Sequence, residues 1–229
     1  KGKPHIIIAC EHYKSNHAMY RGWHTSIAIL KKHYKVTAIG TKDAFDTVSK
    51  GDFDNVVLIQ DEYDIPAILK QFVKLDGDIA LFTSVGMSVW APLVSIVRVS
   101  PVQVALSGHP SSTYINNMDY YILSNCPYEK EQVSHIYSES LVQTRELWSD
   151  ASSLAFNRKK FKELKPNNTM RVVVNGVIQK ISLDTIEMCK SITDEVSTPV
   201  EFLFFMASPK QDIEYFAANS LLRRYLPNF

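Results

Sequence analysis

Three stretches of the sequence gather side chains that could do chemistry, and each begins where a short apolar run stops. The first, Glu11-His12-Tyr13-Lys14-Ser15-Asn16-His17-Ala18-Met19-Tyr20-Arg21, follows Ile6 to Ala9. Ser15 or Asn16 suits a helix N-cap, which puts His17 in the first helical turn. The partial positive charge there disfavours an imidazolium, so His17 stays neutral near pH 7 and is able to accept a proton or a hydrogen bond. The second stretch, Ser107-Gly108-His109-Pro110-Ser111-Ser112-Thr113, follows Val102 to Leu106. Gly108 permits close backbone approach, and Ser111, Ser112 and Thr113 offer hydroxyls and amides to a phosphate or a sugar, although the same composition makes an ordinary turn. The third, Asn175-Gly176-Val177-Ile178-Gln179-Lys180-Ile181-Ser182, follows Arg171 to Val174. Ser182 can cap the next helix, so Lys180 stands beside a helix N-terminus, where a cation and free amides suit a pyrophosphate; a solvated surface lysine is the plain alternative.

The elements that must position these stretches alternate in a βαβ rhythm. Short β-branched runs at Ile6 to Ala9, Val36 to Ile39, Val56 to Ile59 and Ile79 to Phe82 are separated by amphipathic segments at Ser26 to Lys32 and Ile65 to Leu75. A helix near Trp90 to Val97, with Pro92 in its first turn, and strands at Val102 to Leu106 and Tyr120 to Leu123 continue the pattern. Several runs are apolar throughout, which burial on both faces of a parallel sheet demands, so the fold class is α/β with a doubly wound sheet. In such sheets ligands bind at the carboxyl ends of the strands, where all three stretches lie. The pairs Asp52/Asp54 and Asp76/Asp78 precede strands instead and read as turns rather than metal-holding DxD signatures.

From about Tyr128 to Asn168 the rhythm fails, and it restarts with strand Arg171 to Val174, helix Leu183 to Ile192, strand Val200 to Met206 and helix Lys210 to Tyr225. We therefore expect a first half at 1–145, a linker at 146–168 and a second, incomplete half at 169–229. Two βα repeats are too few to close a core, and the first residue is Lys1 rather than Met, which suggests a piece of a longer chain.

Composition narrows the partners. The formal net charge of +1, without any Lys/Arg stripe, argues against nucleic acid. Three scattered cysteines, free of CxxC spacing, favour neither a disulfide framework nor a zinc site and suggest a cytoplasmic protein. No apolar run is long enough for a membrane-spanning helix. GxGxxG, Walker A and GxSxG patterns are absent from the sequence, which disfavours a dehydrogenase, a P-loop NTPase or an α/β-hydrolase.

The stretch Arg98-Val99-Ser100-Pro101-Val102-Gln103-Val104, the Gly108-His109-Pro110 loop and Met118-Asp119-Tyr120-Tyr121-Ile122 resemble, in order and spacing, the core of the O-GlcNAc-transferase-like glycosyltransferases. Glu11-His12 to Arg21 and Ser84-Val85-Gly86-Met87 are more similar to the bacterial cytoplasmic N-glycosyltransferases of high-molecular-weight adhesins. The resemblance implies a GT-B fold, two Rossmann-like parallel-sheet units with the second truncated here. It also implies inverting, metal-independent transfer of hexose from a UDP-sugar, with no cofactor, to asparagine in Asn-x-Ser/Thr of a protein such as an adhesin. By the same resemblance His17 lies beside the reacting centre, His109 faces the donor, and Lys180 neutralises the UDP pyrophosphate. Gly108, Ser111, Ser112, Thr113, Asn175, Gly176 and Gln179 would line the donor site. The sequence departs from the bacterial branch at Gly176 to Gln179, where a hydroxyl-rich stretch is expected. A non-catalytic nucleotide- or protein-binding fragment, or another GT-B sugar-nucleotide enzyme such as an epimerase, uses the same residues.

Overall fold

A computed structural model describes residues 2–108, 111–124, 128–144, 168–176, 181–205 and 213–226. It divides into two units, Lys1–Phe156 and Asn157–Phe229.

The first unit is built on strands β1 (His5–Ala9), β2 (Lys35–Thr41), β3 (Asn55–Ile59), β4 (Ile79–Phe82), β5 (Val102–Leu106), β6 (Tyr120–Ser124) and β7 (Ser140–Thr144). They form one sheet in the order β3-β2-β1-β4-β5-β6-β7, with every pairing parallel. Parallel pairing requires a return path between strands, which α1 (Ala18–His33), α2 (Thr47–Lys50), α3 (Ile65–Leu75), α4 (Trp90–Ser95) and α5 (Lys130–Val133) provide along with loops. Strand periodicity then sorts the apolar residues. Ile7 and Ala9 join Ile68 and Phe72 of α3 and Trp90 and Val94 of α4 in one core. Ile6 and Ile8 face the other way, into a core with Met19, Trp23 and Ile27 of α1. Burial on both faces is why β1 reads as an unbroken apolar run.

Strand β7 corrects the expectation that the rhythm stops at Tyr128. Its sequence, Ser-Leu-Val-Gln-Thr, buries only Leu141 fully and sits at the sheet edge, so it carries none of the continuous apolar signal of the inner strands.

In the second unit β8 (Met170–Asn175) pairs in parallel with β9 (Val200–Phe205), and α6 (Leu183–Glu195) and α7 (Ile213–Tyr225) accompany them. Its core gathers Ile186, Cys189, Val200, Phe202, Leu222 and Leu226. Among the described residues no helix is long and apolar enough to cross a membrane.

Candidate functional site

The strand order reverses between β1 and β4: from β1 the chain winds outward through β2 and β3, then crosses back to add β4 on the other side. At such a switch point the loops after the two strands part and leave a crevice. Here that crevice is stitched. Glu11, two residues past the end of β1, is 2% exposed and accepts four hydrogen bonds from the loop after β4. Its Oε2 receives the Ser84 hydroxyl at 2.5 Å, and its Oε1 receives the Ser88 amide and hydroxyl, each at 2.7 Å, and the Gly86 amide at 3.3 Å. Gly86 has φ +110, a conformation that glycine adopts without strain and that turns its amide inward.

Past Glu11 the β1 loop is pinned on its other side. The Tyr13 hydroxyl donates to Asp52 at 2.9 Å, and the Ser15 amide and hydroxyl donate to Asp46 at 2.8 and 2.6 Å. Asp46 also caps α2, and the bonds from Ser15 and Ser49 hold its carboxyl well below the usual carboxylate range. The loop therefore delivers His17 to a fixed place at the carboxyl rim of the sheet.

His17 is itself the N-cap of α1, with Nδ1 accepting the Met19 amide at 3.2 Å; the sequence assigned that role to Ser15 or Asn16. Burial holds the imidazole below its ordinary pKa, and charge on His12 and Arg21 pushes the same way. A neutral ring whose Nδ1 accepts must carry its proton on Nε2. His17 is thus set up as a hydrogen-bond donor through Nε2 rather than as a base there. The His12 ring lies 5.3 Å from it, centroid to centroid. Glu11, His12, Thr41, Asp43, Met87 and Ser88 are among the side chains lining a cavity of about 560 Å³ at this rim.

Gly108 follows β5 at the same rim, but what approaches it is protein. A Cβ at this position would lie 2.2 Å from the Thr83 carbonyl oxygen, 2.8 Å from the Met19 side chain and 3.0 Å from that of Ser84. The glycine lets the β5 loop nest between the end of β4 and the start of α1.

Ser112 and Thr113 are engaged within the protein. Both donate their hydroxyls to Glu139, Ser112 at 2.8 Å, and the Thr113 amide joins at 2.7 Å. Burial would raise the Glu139 pKa, but the bonds from Thr113 and Ser112 outweigh it and hold the carboxyl below its ordinary range. Glu139 immediately precedes β7, and the Ser138 amide donates to the Ser112 hydroxyl at 3.1 Å. The hydroxyls therefore serve an internal carboxylate at the amino end of a strand, away from the rim where a donor would sit. Ser111 is exposed beside them.

The motif that carries the family resemblance is also a clamp. Gln103 is fully buried, its Oε1 accepting the Val99 amide at 2.7 Å and its Nε2 donating to the Ser95 and Asn117 carbonyls. Asp119 pairs with both Nη atoms of Arg98 at 2.5 and 3.0 Å and accepts the Gln103 amide at 2.8 Å. The carboxylate pairs behave as turns: Asp54 accepts the Val36 amide and Asp78 the His5 amide, both at the amino ends of strands.

In the second unit Asn175 is exposed and Gly176 half-buried at the carboxyl end of β8, and Ser182 caps α6 by accepting the Thr185 amide at 3.3 Å. The helix N-terminus expected beside Lys180 is present. His109, Gln179 and Lys180 themselves lie outside the described residues. Sequence reasoning missed Glu11 and Glu139 as organising groups. A carboxylate two residues past the apolar run Ile6 to Ala9 was the one available signal for the former.

No family model matches the chain. It is 23% identical over 210 residues to the UDP-glucose:protein N-beta-glucosyltransferase of Actinobacillus pleuropneumoniae, which spans 88% of this chain and 33% of that relative. A solved structure of a mutant O-GlcNAc transferase from Thermobaculum terrenum superposes with a TM-score of 0.75 at 16% identity, covering 98% of this chain and 42% of that one. The chain thus spans less than half the length of either. Sequence and architecture agree with the motifs between Arg98 and Ile122: the chain has the GT-B fold of O-GlcNAc transferase and resembles in sequence the protein N-glycosyltransferases.

Proposed function

We propose that the protein is a glycosyltransferase that moves a hexose from a UDP-hexose to the side-chain nitrogen of asparagine in Asn-x-Ser/Thr of a protein acceptor, with inversion and without a metal ion. The observation that carries this reading is the rim of the first unit, where the loops after β1, β4 and β5 meet beside the start of α1, whose N-cap is His17. The relative's activity points to the same donor and acceptor classes. The acceptor nitrogen attacks the anomeric carbon, that carbon's bond to the phosphate oxygen breaks, and UDP leaves with the bonding pair. His17 holds the acceptor through Nε2–H. Lys180 and the N-terminus of α6 offset the charge gained by the departing diphosphate. Asparagine gives up one proton to solvent or to a basic group.

Incubating the full-length protein with UDP-glucose and a peptide containing Asn-x-Ser/Thr, with mass spectrometry of the peptide, tests this. A gain of one hexose on asparagine supports the proposal; an unmodified peptide in the presence of bound UDP-glucose overturns it.

A further inference from the structure

We infer that Glu11 is a positioning residue for the transfer, setting one wall of the cavity at the carboxyl rim by holding the Ser84–Ser88 loop across the switch point; this rests on the function proposed above. All four of its hydrogen-bond donors belong to that one loop. The carboxylate is 2% exposed, and the loop it holds contributes Met87 and Ser88 to the cavity that His12 also lines. The same loop begins at Ser84, whose Cβ is 3.0 Å from the position a Gly108 Cβ would take, so its placement also limits the β5 loop. The tie is reinforced one residue earlier, where the Thr83 amide and hydroxyl both donate to the Ala9 carbonyl at 3.2 and 3.1 Å. Backbone and side chain thus fasten β4 to β1 where the winding reverses, and Glu11 is the outermost fastening.

Removing this carboxylate leaves two amides and two hydroxyls without their acceptor next to a water-accessible cavity. The loop then relaxes, and a displacement of about 1 Å in a positioning wall can cost about 100-fold in rate. Shape is what the loop requires of residue 11. In Glu11→Gln the amide oxygen still accepts from Gly86 and Ser88, and the amide nitrogen donates to a rotated Ser84 hydroxyl.

The test compares wild type, Glu11→Gln, Glu11→Ala and Asp54→Ala in the full-length protein. Asp54 accepts the Val36 amide at the opposite edge of the sheet and controls for a general loss of stability. We expect Glu11→Ala to lower kcat/KM for the acceptor peptide by at least about tenfold. Glu11→Gln should recover acceptor kinetics to within about threefold. Amide hydrogen exchange at Gly86 and Ser88 should accelerate in Glu11→Ala alone. Acceptor kinetics in Glu11→Ala no worse than in Asp54→Ala, at equal folded fraction, overturn the inference, as does unchanged exchange at Gly86 and Ser88. If wild type transfers no hexose, the proposed function falls on that result, and the exchange data still decide whether Glu11 holds the loop.

Discussion

In the unit Lys1–Phe156, side-chain carboxylates take over where the strand ladder stops, whereas in the unit Asn157–Phe229 the described strands end on backbone and a serine cap. Asp78, Asp54 and Asp119 each accept an amide at the start of a strand, those of His5, Val36 and Gln103, and Glu11 and Glu139 do the corresponding work on loops. In the second unit the Met170 amide goes to the Pro199 carbonyl, and the one ion pair among its described residues, Arg171 with Glu201 at 2.7 Å, is well exposed. A sheet buried on both faces brings many loop amides together at its two edges, where water is partly excluded and an acceptor must come from side chains. The first unit thus fixes its rim loops through side-chain acceptors, whereas the described part of the second presents a serine-capped helix N-terminus at α6.

The largest expected effect probes whether the first unit stands by itself. Trp90 is fully buried in the core beneath α4, so Trp90→Ala should destabilise the first unit by about 3–5 kcal/mol in denaturant unfolding. Hydrogen exchange in α6 should be unaffected, and joint loss of protection in both units would erase the distinction between them. Next comes the charge assigned to the second unit: Lys180→Ala should lower kcat by about 100-fold or more, and near-normal turnover would leave the α6 N-terminus without its partner.

A smaller effect concerns the cap of α1. His17→Ala should cost about 1 kcal/mol, and His17→Asn should retain most of that because asparagine caps well. The folded-state pKa of His17 lies below the ordinary 6.5, so its contribution is complete above that pH and is lost as pH falls through the depressed value. His5 is also held low by burial and adds the same sign, so the difference between wild type and His17→Asn isolates the cap. The smallest is Arg171→Ala, expected to change stability by less than about 1 kcal/mol and less still in high salt, since both partners are more than a third exposed.

Much of the frame was legible because doubly buried strands such as Ile6 to Ala9 leave an unmistakable apolar signature, and loops at their carboxyl ends follow from topology. The edge strand at Ser140 was illegible for the converse reason: one covered face and a single deep side chain give a pattern that polar loops also show. His17 was singled out as a first-turn residue behind a Ser15 or Asn16 cap, but it is the cap itself and its Nδ1 is used there, which only geometry reveals. Ser112 and Thr113 suited a phosphate by composition. The anion that claims them is Glu139, 26 residues further on from Thr113, and no local pattern announces such a partner.

Gln103, Arg98 and Asp119 bond to one another and to backbone, and these bonds hold the start of β5 in place. A genome survey keyed on that stretch would collect proteins that share a chassis, working enzymes and silent descendants alike. On the transfer proposed above, sorting the two starts with whether an imidazole still stands at position 17 and an ammonium at position 180.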